Sequence, residues 1–491
     1  MKLISRYIVI IPLLLMALFS IGEYSGVANL SCEFQSFWFF CSKKAFLSGR
    51  IFAYFYSLLI FSLLILSSYF LWFKTGKATK ALAVIGIFLS LLILPFGSAD
   101  VSYYFSAGKF VSSGKNIYSA EWPRKTYFLE GLTDGDVTGF QYGPISAGLF
   151  KAIYDLSSDS IVRFMVIWKL FVLLCYFGVG YLTMKIIGLL RPDFDNNQIF
   201  SWWALQPLVL FEWVINGHFD GFWLIFLLLA ILFAIKNKWW AVFPALAIGV
   251  WIKFIPIFFT PVFIVWWLQG VDLKNYKNKI TEFVFGLLIS LGITYLVWSG
   301  YWEGFIVFKS LILQSKWAVM SLFASIYYSL YPLFNYFLHG STHFYLTRLV
   351  QGSLLIFALY LLKPIIISFF RVIFKKVVLR PEGYISVIFA VAMVYLLVWQ
   401  KSVWPWYFVW LLPFGLMFHA FYPELMTKKF MFWLSATPLV YYIFWYYNFI
   451  TFGTDDYGAV WFSDAVVIVI FLPLIYQLFK ISRRGFNLET E

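Results

Sequence analysis

Charged residues are scarce in this sequence of 491 residues. Only 12% of them carry charge, whereas a soluble domain usually has about 25%. Hydrophobic residues make up 62%, and they recur in apolar runs of roughly 17–25 residues, which is the length that a helix needs to cross a bilayer. The runs do not alternate with polar residues, and this excludes a membrane β-barrel. The sequence therefore predicts an all-α protein, a polytopic bundle of transmembrane helices.

Sequence motifs typical of soluble enzymes are also absent. The sequence has no P-loop, no GxGxxG after a strand, no CxxC and no GxSxG. Histidine is rare, with four residues, and His339 and His343 have no evident third ligand nearby in the sequence. Because a metal site needs three or four convergent ligands, we predict no metal and no cofactor.

Cysteine is equally rare, with three residues. Cys32 and Cys41 lie in one loop, and Cys175 lies within an apolar run. If that loop faces outward, a disulfide between Cys32 and Cys41 is plausible, and two free thiols are the alternative. Lys2 and Arg6 precede the first apolar run, and no small-residue cleavage site follows it, so we expect an uncleaved anchor.

The basic residues predict the topology. The net charge is +14, and Lys and Arg cluster in short loops, as expected for cytoplasmic loops rather than for nucleic-acid binding. Counting them at each turn predicts about fourteen spans with both termini cytoplasmic. Among them are spans over roughly 164–189, 199–215 and 221–235, and a short pair over roughly 239–252 and 254–268 that is hinged near Lys253. A large outer loop over 98–160 contains two short amphipathic segments, which are predicted to lie in the membrane interface. We expect N-terminal spans with an outer Cys loop over 1–81, a membrane core over 82–420, and C-terminal spans with a basic tail over 421–491.

This topology places the ionisable groups that are hardest to explain structurally on the outer face. Charged groups at membrane depth are costly and usually line a cavity. The residues concerned are Asp100, the turn from Asn216 to Asp220, Lys253, Lys316, Arg348, Lys401, Asp455 and Asp456.

Asp100 follows directly after the third predicted span. Its carboxylate could serve as a general base that removes a proton from a hydroxyl group. The alternative is structural, because an acid at a helix end can pair with a neighbour or cap the helix.

The turn NGHFDG contains Asn216, His218 and Asp220. These side chains could recognise hydroxyl groups or cap the following helix, and both roles are better supported than a metal site.

Lys253 has apolar residues on both sides. It could extend its ammonium to the membrane surface, or it could bind a lipid phosphate there. Arg348 and Lys401 are in similar surroundings and could share that phosphate.

The motif from Trp404 to Tyr407 combines a proline with three aromatic residues. A belt of aromatic side chains at the membrane interface explains it without a binding role. A platform on which a sugar or a polyprenyl chain stacks is the alternative.

The order of these residues resembles the GT-C superfamily of integral-membrane glycosyltransferases, and more narrowly the families that depend on polyprenyl-phosphate mannose. Those families place an essential Asp just after a span in the first large outer loop, as at Asp100. The resemblance extends over about 82–415. The other matching residues are Tyr103, Tyr104, Gly114, Asn116, Tyr118, Tyr142, Pro144, Pro207, Leu208, Asn216, His218, Asp220, Lys253, Pro256, Trp406, Tyr407 and Trp410.

Two features depart from the pattern of these families. Asp100 follows the third predicted span rather than the first, and Ser102 stands where many relatives have a second acid. The resemblance therefore implies a metal-independent mechanism with Asp100 as the single base.

The resemblance also implies the reaction and its partners. A hexose, expected to be mannose, would pass with inversion from a polyprenyl-phosphate donor to a hydroxyl of a glycan or glycolipid acceptor. The protein would lie in the plasma (inner) membrane with its active site facing the periplasm, and it would bind no nucleic acid. The implied substrate-binding residues are Tyr103, Tyr104, Tyr142, Asn216, His218, Asp220, Trp404, Trp406 and Tyr407. The implied phosphate-binding residues are Lys253, Arg348 and Lys401.

Two further hypotheses stay open. A polytopic carrier or flippase for lipid-linked sugars would also need a basic cavity and aromatic walls, but it should show inverted repeats and broken helices, which the sequence does not reveal. A protein O-mannosyl or lipid-A-modifying relative of the same superfamily would differ only in its acceptor.

Overall fold

The fold is known from a computed structural model of the chain. The structure describes residues 10–26, 47–73, 80–95, 98, 100–118, 140–271, 276–305, 321–374, 377–400, 402–452 and 460–484. Within these ranges every regular element is a helix, and the β-type pairing is limited to isolated bridges, such as the one between Glu303 and Phe305. The predicted all-α class is confirmed. Predicted features outside the described residues are Cys32, Cys41, Lys316, Lys401, Asp455 and Asp456.

The described helices are numbered α1 to α18 in chain order. The first group is α1 (Ile11–Gly26), α2 (Leu47–Phe73), α3 (Lys80–Leu92), α4 (Asp100–Ser112) and α5 (Pro144–Ser157). The second group is α6 (Ile161–Leu190), α7 (Asn196–Ala204), α8 (Pro207–Ile215), α9 (Asp220–Ile235), α10 (Trp239–Ile252) and α11 (Ile255–Gln269). The third group is α12 (Tyr276–Trp298), α13 (Leu322–Leu338), α14 (Thr342–Ile373) and α15 (Pro381–Trp399). The last group is α16 (Pro405–Phe421), α17 (Lys428–Phe452) and α18 (Val460–Arg484).

Several of these helices can cross a membrane, so the chain is an integral membrane protein. Among the described residues, α6, α12, α14 and α15 are long and apolar enough, and α8 with α9 would make a fifth span, bent by 117°. Shorter apolar helical stretches of 10–17 residues lie in α2, α3, α10, α11, α16 and α18, and they correspond to about 15–26 Å at the helical rise of 1.5 Å per residue. The predicted number of about fourteen spans and the cytoplasmic placement of both termini remain predictions.

The predicted boundaries hold best where the apolar run is uninterrupted. The span predicted over 164–189 is α6, and the one predicted over 221–235 is α9. The span predicted over 199–215 is broken between α7 and α8, because Pro207 has no amide hydrogen to continue the helix. The predicted hinge near Lys253 is confirmed, since this residue is extended, with φ −147° and ψ 126°.

The two short segments of the predicted outer loop are both helices, but they differ in their surroundings. In α5 the buried positions recur every three or four residues, while Gly148 and Asp155 are exposed, as expected for an amphipathic helix. In α4 all of residues 101–108 are buried. This part of the helix therefore has no solvated face, so the amphipathic character expected for it is wrong, and its position relative to the membrane interface stays a prediction.

A buried lysine on a neighbouring helix binds the carbonyl groups at the C-terminal end of α3. The ammonium of Lys169, on α6, donates hydrogen bonds to the carbonyl oxygens of Ser90 at 3.5 Å and Leu91 at 3.4 Å, and to that of Ile93. The last carbonyls of a helix have no partner within the helix, and a cation there also complements the helix dipole. Lys169 thus satisfies the end of the helix that leads to Asp100.

The N-terminal and C-terminal parts of the chain pack against each other. Phe61 on α2 stacks on Tyr442 of α17 with ring centroids 5.0 Å apart, and Trp72 Nε1 donates to Ser435 Oγ at 3.1 Å. The division into three segments remains a prediction, but this packing joins α17 of the last segment to α2 of the first.

Candidate active site

The ends of several helices meet around Asp100. Ser98 Oγ accepts a hydrogen bond from the backbone amide of Asp100 at 3.1 Å, and Asp100 is the first residue of α4. An acid in the first turn is favoured by the helix dipole, so part of the structural role predicted for Asp100 is present. Its carboxylate does more than this, because Tyr104 Oη donates to Oδ2 at 3.1 Å and His218 Nε2 lies 3.4 Å from the same oxygen.

His218 reaches Asp100 because the chain breaks between α8 and α9. The end of α8 is a wide π-helical turn, and Gly217 has φ +77°, a conformation that favours glycine. A Cβ on Gly217 would lie 2.6 Å from Val101 Cγ2, so the close approach to α4 also requires glycine. Trp168 Nε1 donates to the carbonyl of Gly217 at 2.7 Å and fixes the turn.

The contribution of Glu212, which is completely buried in α8, was not predicted from the sequence. One of its carboxylate oxygens lies 3.3 Å from His218 Nδ1 and accepts from Asn216 Nδ2 at 3.3 Å, and the other accepts from Tyr442 Oη at 2.9 Å. The sequence did contain a signal for this role, because Glu212 is an acid within an apolar run, four residues before Asn216. The contribution of Tyr442 had no signal in the sequence.

Trp406 covers the imidazole of His218. The two rings stack with centroids 4.0 Å apart and an angle of 19° between planes, and Trp404 stacks on Trp406 at 5.2 Å. One face of Trp406 is therefore occupied by His218. A stacking role toward substrate stays a prediction for the motif, whose Trp404, Trp406 and Tyr407 side chains are all half-buried.

Lys253 forms an ion pair with Asp220, the first residue of α9. Its Nζ lies 2.5 Å from Oδ1, and Trp223 Nε1 donates to the same oxygen at 3.4 Å. The ammonium also lies 5.0 Å from the ring centroids of Tyr407 and Trp410, within the range of a cation–π contact. The cation predicted to hold phosphate thus already has a carboxylate partner.

Tyr142 lies between the Asp100 and Lys253 groups. Its ring centroid is 6.0 Å from that of Tyr104 and 5.7 Å from Lys253 Nζ. The next residue, Gly143, is in contact with the end of α10, since its amide donates to the carbonyl of Ile252 at 3.0 Å.

Gly114, Asn116 and Tyr118 form a Gly-x-Asn-x-Tyr pattern, and two of them make hydrogen bonds that fix the region around Tyr142. Asn116 donates to the carbonyl of Tyr301 at 3.0 Å and to Glu303 at 2.8 Å, which ties the end of the α4 segment to the turn after α12. Tyr118 Oη donates to the carbonyl of Tyr142 at 2.7 Å. In the structure these residues therefore position Tyr142.

The far end of α4 is fixed by exposed polar groups. Lys109 Nζ pairs with Asp159 at 2.9 Å, and Tyr154 Oη donates to the same carboxylate at 2.8 Å. These hydrogen bonds hold the pKa of Asp159 below its usual value. They join α4 to the turn after α5, at the opposite end of the helix from Asp100.

The structure brings together most of the residues predicted from the sequence. Arg348 is the exception, because it is exposed on α14 with its guanidinium 5.6 Å from the ring of Phe344, and no contact within the described ranges joins it to Asp100 or Lys253. The residues that meet are Asp100, Tyr103, Tyr104, Tyr142, Asn216, His218, Asp220, Lys253, Trp404, Trp406 and Tyr407.

His343 and His419 make local contacts away from Asp100. His343 Nδ1 is hydrogen-bonded to Tyr327 Oη at 2.7 Å, and His419 contacts the carbonyl of Met426. No group of three or more His, Cys, Asp or Glu side chains suited to a metal occurs among the residues that the structure describes.

Sequence comparison adds an independent finding. The family model for the α-(1→6)-mannopyranosyltransferase N-terminal domain matches residues 13–269, just over half of the chain. This range includes Asp100, Glu212, His218 and Lys253, whereas the Trp404–Tyr407 motif lies beyond it. No curated protein matches the chain.

Proposed function

The chain belongs to this α-(1→6)-mannopyranosyltransferase family, and on that basis we propose that it transfers mannose from a polyprenyl-phosphate donor to the 6-hydroxyl of an acceptor mannose. Membership of a glycosyltransferase family favours a transferase over the carrier hypothesis. The break between α8 and α9 is a feature that a carrier would also require. Here, however, the break places His218 against Asp100, which suits a catalytic site.

One observation carries the assignment of the base. Glu212 is completely buried and Asp220 is 2% exposed. Asp100 retains 21% exposure of its side chain. Among the three carboxylates of the site, it is therefore the one that an incoming hydroxyl group can reach.

The proposed reaction is a single displacement. Asp100 takes the proton of the acceptor hydroxyl, whose oxygen forms a bond to the anomeric carbon. The bond from that carbon to the phosphate oxygen breaks, and the lipid phosphate leaves with the bonding electrons. Inversion at a β-linked donor gives the α linkage in the family's description.

Lys253 would stabilise the departing phosphate. Its side chain is 13% exposed, so its ammonium can still be approached although Asp220 pairs with it. Positive charge placed where negative charge develops lowers the barrier. Lys401 and Arg348 remain proposed assistants, and Arg348 would have to act from the exposed surface of α14.

We assign the site to the outer, periplasmic face of the plasma membrane, because short basic loops mark the cytoplasmic face. Ser158 is exposed in the turn after α5, and Asp193 is exposed after α6, on the predicted inner side. In a background lacking the three native cysteines, a membrane-impermeant maleimide should label Ser158→Cys and not Asp193→Cys in intact cells. The reverse pattern would overturn the orientation.

The function itself is tested with purified protein in lipid nanodiscs. Synthetic polyprenyl-phosphate mannose, glucose and arabinose, and a nucleotide-linked mannose, are offered separately with a mannoside acceptor, and the product linkage is determined by NMR. We expect an α-(1→6)-linked product from the mannose donor. Transfer only from a nucleotide-sugar, or translocation of the lipid-linked sugar without any transfer, would overturn the proposal.

A further inference from the structure

We propose that the indole N–H of Trp410 binds a phosphate oxygen of the donor, next to Lys253. This inference rests on the proposed function, in which Lys253 stabilises the departing lipid phosphate. It adds a neutral hydrogen-bond donor to that site and requires no change in the protonation of any side chain. Trp410 is then a further substrate-binding residue of the reaction.

Trp410 lies against the proposed phosphate site. Its ring centroid is 5.0 Å from Lys253 Nζ and 4.4 Å from the ring centroid of Tyr407. The residue is 2% exposed, so the indole is enclosed by protein. A phosphate carries more than one free oxygen, and one of them can contact the ammonium of Lys253 while another reaches the edge of this ring.

The indole nitrogen of Trp410 is a buried donor that the protein leaves unused. Trp410 Nε1 has no hydrogen-bond partner within the part of the chain that the structure describes. An indole N–H can only donate, and burying it without an acceptor is costly. Folded proteins keep few such groups. An unused buried donor beside a proposed anion site therefore points to an acceptor on the ligand.

A second indole, that of Trp223, differs from Trp410 in the use of its N–H group. The two rings pack edge to face, with centroids 5.3 Å apart. Trp223 Nε1 donates to Asp220 Oδ1 at 3.4 Å, and the same oxygen contacts Lys253 Nζ. The N–H of Trp223 is thus used within the protein, whereas that of Trp410 is available to the phosphate.

Trp410 supplies an interaction that Lys253 alone cannot give. Lys253 Nζ lies 2.5 Å from Asp220 Oδ1, so a phosphate has to share this ammonium. The N–H of Trp410 is not shared with the carboxylate. Hydrogen bonds to ionised acceptors are roughly twice as strong as those between neutral groups. Trp410 therefore strengthens the binding of the donor and of the lipid phosphate that leaves.

The test is the dependence of the transfer rate on donor concentration in Trp410→Phe. Phenylalanine keeps an aromatic ring beside Lys253 but has no N–H. The hydrogen bond exists before and during transfer, so its loss should raise KM and leave kcat nearly unchanged. We expect the KM for polyprenyl-phosphate mannose to rise about tenfold or more, while the KM for the acceptor stays that of the wild type.

Trp239→Phe is the matched control. Trp239 is also buried with an unused Nε1, but it is the first residue of α10, whereas Lys253 follows the last. With 14 residues, this helix is about 21 Å long at 1.5 Å per residue. The control should keep the donor KM of the wild type. An equal rise in both variants, or a wild-type donor KM in folded Trp410→Phe, would overturn the inference.

A second variant, Trp410→benzothienylalanine, separates the hydrogen-bond donor from the shape of the ring. It keeps a bicyclic ring of nearly the same size and has sulfur in place of the N–H, so it replaces Trp410→Phe if that variant fails to fold. The donor KM should rise as in Trp410→Phe. A wild-type donor KM in this protein would mean that Trp410 only packs against Lys253, which contradicts the inference.

A binding measurement does not depend on activity. In nanodiscs, ¹⁵N-tryptophan NMR follows the indole signals, and those of Trp410 and Trp239 are assigned by their loss in the two Phe variants. Saturating citronellyl phosphate, a short isoprenoid phosphate, should move the Trp410 N–H signal downfield and leave that of Trp239 unchanged. An unmoved Trp410 signal would overturn the inference even if wild-type transfer is normal. The expected shift in a wild-type protein that transfers no sugar would instead contradict the proposed function.

Discussion

Asp220 Oδ1 and Lys253 Nζ lie 2.5 Å apart and join the start of α9 to the end of α10. Asp220 is almost completely buried, at 2% exposure. An ionised carboxylate in such a position depends on its cation, because burial of an unpaired charge is costly. Any phosphate that binds Lys253 must therefore share it with Asp220.

Because of this ion pair, single and double variants can test the structural and catalytic roles of Lys253 separately. Lys253→Met should lower the free energy of unfolding by about 3–5 kcal/mol, because it leaves the buried carboxylate of Asp220 without its cation. The double variant Asp220→Asn with Lys253→Met should regain most of that stability but not the transfer activity. Thermal unfolding in detergent and the transfer assay are measured on the same samples. Recovery of both properties in the double variant would show that Lys253 has no role toward the phosphate.

The contact between Gly143 and the end of α10 requires a glycine. A Cβ on Gly143 would lie 2.0 Å from the backbone oxygen of Trp251. Gly143→Ala should therefore separate α5 from α10, destabilise the protein by about 1–3 kcal/mol or more, and reduce activity. Gly148→Ala on the same helix is the control, since nothing lies within 4 Å of its added methyl group. Equal behaviour of the two variants in thermal unfolding and transfer assays would contradict this account.

The end of α3 depends on Lys169. Replacing it with Met keeps the apolar stem but removes the donor to three carbonyl groups, and each buried acceptor left without a partner costs about 1–3 kcal/mol. We expect a lower unfolding temperature for Lys169→Met. Lys185→Met, at a partly exposed position of the same helix, should unfold as the wild type does. A Lys169→Met protein as stable as the control would mean that these hydrogen bonds contribute nothing net.

Much of the site could be predicted because its residues are polar groups in an apolar sequence. Asp100, His218 and Lys253 were recognisable since each interrupts or ends an apolar run and is costly to bury without a partner. Their order along the chain also resembled a known superfamily, and the family match confirms that resemblance.

The pairing of these residues could not be predicted, because it depends on the packing of distant helices. The sequence predicted that Lys253 either extends to the membrane surface or binds a lipid phosphate. In the structure α9 and α10 pack so that Lys253 forms an ion pair with Asp220. Tyr442 contacts Glu212 across 230 positions, and nothing local marks it among 32 tyrosines. The burial of α4 on all sides was missed because its serines and tyrosines suggested a solvated face.

The proposed mechanism uses no metal ion. Lys253 supplies the positive charge near the departing phosphate, so removal of divalent cations should leave the rate unchanged. The check is the transfer rate in EDTA and after addition of Mg²⁺ or Mn²⁺ to the treated protein. Loss of activity in EDTA and its return with either cation would show that carboxylates of this site hold a metal during catalysis.

The most direct test of the account is the activity of Asp100→Asn. The amide keeps the size of the side chain and can accept the hydrogen bond from Tyr104, but it cannot take the acceptor's proton. Asp193→Asn, an exposed carboxylate paired with Arg191, is the matched control. With polyprenyl-phosphate mannose as donor, we predict that Asp100→Asn lowers kcat by about 10²–10⁴-fold while folding and donor binding persist, and that Asp193→Asn is unaffected. Wild-type kcat in a folded Asp100→Asn protein would contradict the assignment of the base.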